Sequence, residues 1–585
     1  MQTSTLAFVA MIAMAAHSSA APAAPGDLDP TFGAGGFVRD PMPDNGAQAT
    51  AVAIDGSGRV VVAGTSFVNA IDGNFGVLRL VADGTPDAAF GSGGRASHGF
   101  AAGTDEEGYG VAILADGRIV VGGTSFDIAT GNDFAALRLA ADGAVDATFG
   151  NHGNGWMTSG RPGNDTGIAL AQGSTGFLLG GYVDDGGGID AAGFLIDSLG
   201  MPLPLFGDNG LVTGGADTNS AFAAALQPDG KVLLGGHADG DGGGGIALRF
   251  GADGAPDASF AGDGRADLGA DVRIEGLHVL ADGRIVAVGQ HLGDAIVLRL
   301  LADGSADPAF GVGGVATLTA ASQSAAQLFA KEVAVQGDGA LVVAGTAISP
   351  LDGAKVLAFR VASEGTLDAG FGNGGAALVD APNDLFGEAV ALQADGAIVI
   401  AGSDRGAASS NSDDQFLVVR LLGGAGAGGA PVISIADASL VEGDAGTALM
   451  SFALSLSAPS DGSVAVDVAT DLGTATPNVD YTPTTATLAF PNGATTLALQ
   501  VPIIGDTVDE LDETLAARLS APVNATLGDA QAIGAIVDDD AGGPPPATPA
   551  SVPGPGLLAL TLLAGALALG GVAFARRRGT LNRTR

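Results

Sequence analysis

The chain repeats one pattern seven times, and this repeat constrains the fold more than any other feature. Its clearest copy reads GYGVAILADGRIVVGGTSFDIATGNDFAALRLAADGAVDATFG, from Gly108 to Gly150. Each copy closes with a phenylalanine, at intervals of 50 to 61 residues: Phe32, Phe90, Phe149, Phe206, Phe260, Phe310 and Phe371. Short apolar runs separated by turns at such a period predict a stacked or circular β architecture.

Each copy predicts four antiparallel strands. A hairpin turn of sequence Asp-Gly recurs, as at Asp116-Gly117 and Asp282-Gly283. Asp-Gly between two apolar runs supplies the positive φ angles that a tight hairpin needs. A short apolar strand follows, written ALRL at residues 136–139 and VLRL at residues 297–300.

The two ends of the array predict that it closes on itself. A complete LDPTFGAGGFV opens the first copy at residues 28–38, whereas the last strand, FLVVRLLG at residues 416–423, is followed by no Phe-Gly segment. An N-terminal strand that completes the last unit removes an exposed edge, which favours a seven-bladed β-propeller over an open solenoid. At the motifs DPTFG, DGR-IVV-GG and ALRL, residues 26–422 closely resemble the bacterial delta-sixty β-propeller repeat family. That family carries no catalytic signature to transfer.

Composition narrows the function classes. The 585 residues leave room for several domains, and the absence of cysteine excludes disulfides and thiolate metal sites. A formal net charge of −40 argues against a nucleic-acid partner, because phosphates would be repelled. Such a charge suits a solvated extracellular protein that meets divalent cations.

Both termini predict export. Residues 1–20 contain the apolar run LAFVAMIAMAA (residues 6–16) followed by small residues, as in a signal peptide. Residues 557–575 form a second apolar run, long enough for a transmembrane helix, and residues 576–585 make a basic tail that begins with three arginines. The positive-inside rule places that tail in the cytoplasm and the rest of the chain outside.

The segment before the second apolar run suggests processing. Residues 541–555 are a Pro-rich linker that ends in Val552-Pro553-Gly554-Pro555. A Pro-containing motif, an apolar helix and an arginine cluster in this order resemble bacterial C-terminal sorting signals of the PEP-CTERM type. Gly554 stands where that family usually has Glu, and a plain membrane anchor is the alternative.

A second domain follows the propeller. The Gly-rich linker of residues 423–430 leads into residues 431–540, where seven runs of alternating apolar and polar residues predict an immunoglobulin-like β-sandwich. The expected fold class is therefore all-β: a seven-bladed propeller, a sandwich and a C-terminal transmembrane helix.

Acidic residues in this second domain cluster where strands end, in VEGD, NVDY, GDTVDELDET and IVDDD. Calcium takes six to eight oxygen ligands, and carboxylates packed closely repel one another without a cation. The motifs VEGDAGT, DYTPTTATLAFPNGATT, VPIIGDTVDELDETL and IVDDD resemble the Calx-beta domain over residues 431–540. The resemblance implies Ca²⁺ ligation by nine residues, of which Val508 would contribute its backbone carbonyl: Glu442, Asp480, Asp506, Val508, Glu510, Glu513, Asp538, Asp539 and Asp540.

Two reservations apply to this ligand set. Gly505 stands where calcium-sensing members of the family have a further Asp, which weakens or removes one of the ions. The alternative reading is an acidic edge that is simply solvated, since runs of charge usually are.

The propeller has two candidate roles. We expect a non-enzymatic platform at the cell surface that binds an extracellular polysaccharide or a surface protein; the alternative is a lyase or hydrolase whose site is the central channel. Polar side chains converging at the channel mouth would favour the enzyme, and a mouth of Gly, Ala and Thr the platform. His237 and His291 occupy equivalent repeat positions, where other copies have threonine. Sequence drift at a tolerant loop position is the favoured interpretation, and the alternative is that the two imidazoles bind a metal or act as acid and base.

Overall fold

The computed structural model describes residues 24–540, apart from short gaps. The gaps are residues 70–71, 102–103, 129–130, 151–152, 175, 185, 187, 216–219, 240–242, 407–412, 424–431, 457–463, 491–495 and 524. Thirty-seven strands and one short 3-10 helix (Ala320–Gln323) make up the regular structure of this part of the chain.

The first 28 strands form seven four-stranded antiparallel sheets, which we number as blades 1 to 7. After β1 (Phe37–Asp40), blade 1 comprises β2 (Ala47–Ile54), β3 (Val60–Phe67), β4 (Gly73–Leu80) and β5 (Arg95–His98). Blade 2 comprises β6 (Asp105–Ile113), β7 (Ile119–Asp127), β8 (Gly131–Leu139) and β9 (Trp156–Thr158). Blade 3 comprises β10 (Asn164–Gln172), β11 (Gly176–Asp184), β12 (Ile189–Asp197) and β13 (Leu211–Thr213).

The remaining blades continue in chain order. Blade 4 comprises β14 (Ser220–Leu226), β15 (Val232–Ala238), β16 (Gly244–Phe250) and β17 (Arg265–Ala270). Blade 5 comprises β18 (Val272–Val279), β19 (Ile285–His291), β20 (Asp294–Leu300) and β21 (Val315–Leu318). Blade 6 comprises β22 (Gln327–Val335), β23 (Leu341–Ser349), β24 (Gly353–Val361) and β25 (Ala376–Val379). Blade 7 comprises β26 (Asp384–Leu392), β27 (Ile398–Arg405), β28 (Gln415–Leu421) and the N-terminal β1.

Strand β1 closes the ring as the sequence predicts. It pairs antiparallel with β28 from Phe37 opposite Val419 to Asp40 opposite Phe416, and so forms the outer strand of blade 7. The first strand of each blade packs against the first strands of both neighbouring blades, including β26 against β2. These seven strands therefore surround the central channel, and the closed ring leaves no blade with a missing strand.

The repeat residues do what their chemistry suggests. The seven closing phenylalanines are all between 0 and 2% exposed, so each fills the space between neighbouring sheets. The hairpin glycines adopt positive φ, for example 85° at Gly117 and at Gly283. A residue with a β-carbon would be strained there.

Residues 432–540 form a sandwich of two sheets. A four-stranded sheet contains β29 (Val432–Ile435), β31 (Gly446–Leu456), β34 (Thr496–Gly505) and β36 (Thr526–Leu527). A five-stranded sheet contains β30 (Ala438–Val441), β32 (Val464–Asp471), β33 (Thr485–Phe490), β35 (Glu513–Val523) and β37 (Gln531–Val537). Apolar residues from both inner faces, including Phe452, Val466 and Val501, form one core.

Two expectations need correction. The sandwich has nine strands instead of seven, because the run PVISIADASL divides into β29 and β30, which belong to different sheets, and β36 is an additional short strand. The expected fold class was also wrong in including a C-terminal transmembrane helix: no helix within residues 24–540, as far as they are described, is long and apolar enough to cross a membrane. The segment 557–575 and the expected signal peptide at residues 1–20 lie outside the described residues.

Candidate functional site

Strand ends bring the acidic residues of the sandwich to one rim. Strands β30 and β37 are parallel neighbours, with Val441 opposite Val537, so the residues that follow them, Glu442 and Asp538, leave the sheet side by side. Strand β35 runs antiparallel to β37 and starts at Glu513, opposite Ile536. Chain segments far apart in sequence therefore deliver their carboxylates to the same end of the five-stranded sheet.

The first carboxylate group consists of Glu442, Asp538 and Asp540. One oxygen from each residue lies within 4.8 Å of the others. Glu442 is only 7% exposed. Burial, and then the neighbouring carboxylates led by Asp538, raise the pKa of Glu442 to about 7. A buried carboxyl beside other acids releases its proton reluctantly, and a cation would relieve that cost.

Asp540 adds an unsatisfied atom to this group. Its Oδ2 is shielded from solvent and has no hydrogen-bond partner among the residues that the structure describes. Burial and the nearby Asp444 and Asp538 carboxylates raise its pKa. A buried carboxylate oxygen without a donor is costly unless an ion or a proton satisfies it.

The second carboxylate group consists of Asp480, Glu510 and Glu513, whose oxygens also lie within 4.8 Å of one another. Asp480 is 6% exposed, and its Oδ2 accepts a hydrogen bond from the Thr476 N–H. Burial, and then the Asp480 carboxyl group, raise the pKa of Glu513 to about 7. The two groups share one electrostatic field, because Glu510 of the second group also raises the pKa of Glu442 in the first.

Three of the nine expected ligands belong to neither group. Asp506 Oδ1 accepts a hydrogen bond of 2.8 Å from the Val508 N–H, and Asp539 Oδ1 accepts one of 3.0 Å from the Gly443 N–H. Both carboxylates thus shape the loops around the two groups. Val508 is 56% exposed.

Asp512, which the ligand set omits, also shapes the rim. Its Oδ1 accepts a hydrogen bond of 3.2 Å from the Asp538 N–H. The Asp538 Oδ1 accepts one of 3.3 Å from the Glu510 N–H. Asp512 thus fixes the backbone that carries Asp538. The sequence run DELDE contained this residue, but spacing alone does not separate ligands from loop supports.

Gly505 has no room for a side chain. A β-carbon there would lie 1.9 Å from the Gly443 carbonyl oxygen and 2.6 Å from that of Glu442. The backbone of Glu442 and Gly443, at the first carboxylate group, therefore occupies the space that a side chain at residue 505 would need.

The propeller offers a second candidate site in its channel. A cavity of about 600 Å³ is lined by the innermost strands of all seven blades. Charged and polar side chains converge there, among them Arg273, Glu275, Lys331, Glu388 and Tyr109. By the criterion set out from the sequence, this lining favours the enzyme alternative over a plain platform.

The two histidines singled out from the repeat do not form a site. His237 Nδ1 lies 3.1 Å from the Val272 carbonyl oxygen of the next blade, just as Thr124 Oγ1 lies 2.9 Å from that of Gly167. Neither His237 nor His291 lines the channel cavity or joins a metal-capable group of the described residues. His237 therefore replaces threonine as a tie between blades.

Comparison with family models agrees with both domains. A model of the Calx-beta domain matches residues 430–540, which cover the sandwich and its acidic rim. The chain carries a Calx-beta domain. A domain of unknown function described as DUF5122 beta-propeller matches residues 56–90, 114–149, 227–260 and 280–310. These segments fall in blades 1, 2, 4 and 5.

Solved structures resemble each domain separately. The apo-form CBD1 domain of Calx is 24% identical, with 19% of this chain and 99% of that chain covered and a TM-score of 0.16. The CBD12 structure of CALX1.2 is 23% identical, with a TM-score of 0.17; the match covers 19% of this chain and 44%, less than half, of that chain.

A propeller structure also matches. A catalytically inactive virginiamycin B lyase from Staphylococcus aureus is 9% identical, with 66% of this chain and 98% of that chain covered and a TM-score of 0.36. Likenesses at these identities concern the fold alone, and we base no functional argument on them. A comparison with curated proteins found no match to the chain.

Proposed function

We propose that the Calx-beta domain of this chain binds Ca²⁺ at its acidic rim. The observation that carries the proposal is the pair of three-carboxylate groups, each with oxygens within 4.8 Å and each containing a glutamate whose pKa is raised to about 7. Folding has concentrated negative charge that a divalent cation would neutralise. The match of the Calx-beta domain model to residues 430–540 supports the same proposal.

The donors suit a hard cation. All six side chains of the two groups offer carboxylate oxygens, which calcium and magnesium prefer to nitrogen or sulfur. Three carboxylates supply between three and six oxygens, so a calcium ion with six to eight ligands needs a few more from water or backbone. We propose Asp506, Asp539 and the Val508 carbonyl oxygen as completing ligands once an ion draws the loops together.

The two groups should differ in affinity. The backbone that excludes a side chain at Gly505 belongs to Glu442 and Gly443, at the first group. That group therefore lacks the carboxylate that calcium-sensing relatives add. We propose that the second group, Asp480 with Glu510 and Glu513, holds the tighter ion.

Isothermal titration calorimetry of the full chain tests this proposal. Chelator-treated protein titrated with CaCl₂ should release or absorb heat with a stoichiometry near two and two unequal affinities. MgCl₂ should bind more weakly, because magnesium demands a smaller octahedral cage. A flat calcium titration, or magnesium binding as tightly as calcium, would contradict the proposal.

For the propeller we propose a binding role at the cell surface, with an extracellular polysaccharide or a surface protein as partner. The lack of a catalytic signature in the repeat supports this role, whereas the polar channel lining supports the alternative, a lyase or hydrolase that acts on an extracellular polymer. Incubation of the full chain with soluble polymers separates the two roles. Binding without new reducing or unsaturated ends supports the platform, whereas accumulation of such ends supports the enzyme.

We also propose that the chain is exported, and that its propeller belongs to the delta-sixty group of repeats. The net charge of −40 and the apolar run at residues 6–16 support export. We propose the motif at residues 552–555 as part of a sorting signal. Mass spectrometry of surface and cytoplasmic fractions tests this: mature peptides confined to the cytoplasm, or an intact C-terminal peptide at the surface of an exosortase-bearing host, would contradict it.

A further inference from the structure

The innermost strand of every blade contains a β-bulge at the same place. In each pairing with the second strand of the blade the register skips one residue. The seven skipped residues form what we call the bulge ring: Thr50, Tyr109, Ile168, Phe222, Glu275, Lys331 and Glu388. All seven are half-buried and line the channel cavity. Bulges re-aim side chains and are enriched next to functional sites.

The bulge ring is divided into two chemically different halves. Blades 2, 3 and 4 contribute Tyr109, Ile168 and Phe222, whereas blades 5, 6 and 7 contribute Glu275, Lys331 and Glu388. Within the bulge ring, one side is thus apolar and aromatic and the other is charged, although Asp105 and Glu107 of blade 2 also line the cavity beside Tyr109. A ligand that fills the channel must present both characters at once.

The charged half is held together by ion pairs. Lys331 Nζ lies 3.3 Å from Glu275 Oε2 and 3.6 Å from Glu388 Oε2. Burial acts to lower the pKa of Lys331, but the two carboxylates outweigh it and raise the pKa, so the ammonium stays charged. Each carboxylate keeps lone pairs free after this contact, and these can accept further hydrogen bonds.

Arg273 joins the two halves. Its guanidinium carbon lies 4.0 Å from the centroid of the Phe222 ring, and its Nε donates to Glu275. A cation stacked on the aromatic face and tied to a carboxylate is fixed in orientation. Its remaining N–H groups can donate hydrogen bonds into the cavity.

The geometry points to the channel as a binding site for a saccharide, neutral or carrying amino groups. A pyranose ring has an apolar C–H face that stacks on aromatic rings and a rim of hydroxyl groups that both donate and accept hydrogen bonds. The two halves of the bulge ring match those two faces. A volume of about 600 Å³ is in the usual range of ligand pockets. This inference rests on the proposed binding role of the propeller and names its ligand class.

Charge restricts the class further. Five carboxyl groups line the cavity, those of Asp105, Glu107, Glu275, Glu332 and Glu388, against the two cations Arg273 and Lys331. Burial raises the pKa of Glu332 to about 7, so the formal excess is two acidic groups below that pH and three above it, and this excess would repel uronic-acid or sulfated sugars. Amino sugars, in contrast, would be attracted.

Binding of defined sugars to the full chain tests the inference. The probes are cellohexaose and chitohexaose as neutral sugars, a chitosan hexamer as amino sugar and hexagalacturonate as acidic sugar. We expect one of the first three to bind, and hexagalacturonate to bind at least about tenfold more weakly. Lys331→Met and Phe222→Ala, one from each half, should each weaken binding by at least about tenfold.

Lys355→Met is the matched control. Lys355 also stands between two carboxylates of blade 6, with Nζ 2.8 Å from Asp380 Oδ2 and 3.6 Å from Asp352 Oδ2, but it does not line the cavity. It should bind sugar like the wild type. The melting temperature of each variant is compared with the wild type, and if Lys331→Met is unstable, Phe222→Ala and the milder Tyr109→Phe decide the question.

The outcomes separate this inference from the binding role itself. A sugar that binds equally to the wild type and the channel variants, or preferential binding of hexagalacturonate, would overturn the channel site and leave the platform role in place. Failure of all four sugars would also overturn it. Failure of every soluble polymer in the polymer assay as well would overturn the platform role with a polysaccharide as partner.

Discussion

Asp29 and Arg420 form an ion pair across 391 residues of sequence. Arg420 Nη2 lies 2.7 Å from Asp29 Oδ2, and its guanidinium carbon lies 4.7 Å from the centroid of the Phe32 ring. In five other blades the same pair joins an arginine to an aspartate eight residues later, as in Arg138 with Asp146. In blade 7 the two partners of this ion pair therefore come from opposite ends of the propeller, whereas in the other five blades they lie in one continuous segment.

We predict that Asp29→Asn loosens the closure of the ring. Arg420 is only 7% exposed, and a buried arginine that loses its counter-charge is destabilising, by about 3–5 kcal/mol when the partner is removed outright and by less when an amide remains. In blade 7 this cost falls on a chain end. Limited proteolysis should therefore cleave near residues 24–40 faster in the variant.

Asp146→Asn is the matched control, since it breaks the equivalent pair inside one continuous blade. It should lower the melting temperature without exposing the N-terminal segment.

Deletion of residues 26–40 should have the strongest effect, because it removes β1, uncovers the edge of β28 and promotes aggregation. A deletion variant that stays monomeric with an unchanged melting temperature would show that β1 does not close the ring.

A second prediction concerns calcium and stability. Binding to the folded state alone stabilises it by about 2.7 kcal/mol when calcium is 100-fold above its dissociation constant. For a domain of about 110 residues this raises the melting temperature by on the order of 10 °C. Calorimetric scans of the full chain should therefore show one transition that moves up in millimolar calcium and returns with chelator.

The double variant Glu510→Gln and Glu513→Gln should lose most of this shift, since both residues belong to the second carboxylate group. Its metal-free form should be no less stable than the wild type, because repulsion with Asp480 is relieved. Glu364→Gln, a change of the same kind on the propeller, is the control and should keep the full shift. Identical scans of the wild type with and without calcium would reduce the rim to an acidic edge.

Much of this architecture was predictable because short sequence motifs determine it. Asp-Gly turns, the closing phenylalanines and the surplus N-terminal strand each predict one contact, and the structure contains all of them. In the sandwich, period-two alternation predicted the strands but not their distribution. The run that includes Val432 and Leu440 alternates throughout, yet it changes sheet at Asp437, whose Oδ1 accepts a hydrogen bond of 2.7 Å from the Ile533 N–H.

The bulge ring was missed for a different reason. Its members come from different blades, so only the closure of the propeller brings Glu275, Lys331 and Glu388 together. A signal was nevertheless present. Five members stand seven residues before the aspartate of an Asp-Gly turn, which gives the column Tyr109, Phe222, Glu275, Lys331 and Glu388 when the copies are aligned. A column that varies from apolar to charged within otherwise uniform strands indicates positions that face a cavity instead of the packed core.

A third prediction uses Gly505. Gly505→Asp restores the residue type of the calcium-sensing relatives, but its β-carbon would lie 1.9 Å from the Gly443 carbonyl oxygen. We expect a loss of about 1–3 kcal/mol of stability from overpacking and no additional bound calcium. Thr507→Asp adds the same charge at an exposed position two residues away and should be tolerated. An increase in calcium stoichiometry in Gly505→Asp would mean that the 442–443 backbone yields easily.

The last prediction concerns pH and the channel. Burial, only partly offset by the Val390 N–H that donates to its Oε2, raises the pKa of Glu332 to about 7. The folded chain therefore holds a proton that the unfolded chain releases near pH 4.5, so the stability linked to this group is complete below pH 4.5 and is lost as pH rises to about 7. Above that pH the ionised carboxylate costs on the order of 1–2 kcal/mol, less than the full shift implies because the side chain is only partly buried and lines the channel cavity. Glu332→Gln should thus stabilise the protein at pH 8 and have little effect at pH 4.5, as measured by denaturant unfolding at both values.

Glu364→Gln is the control of opposite sign and should destabilise the protein at pH 8. Hydrogen bonds, led by that of the Thr366 hydroxyl, lower the pKa of Glu364, so its ionised form stabilises the fold. If Glu332→Gln changed stability equally at both pH values, Glu332 would not titrate in this range.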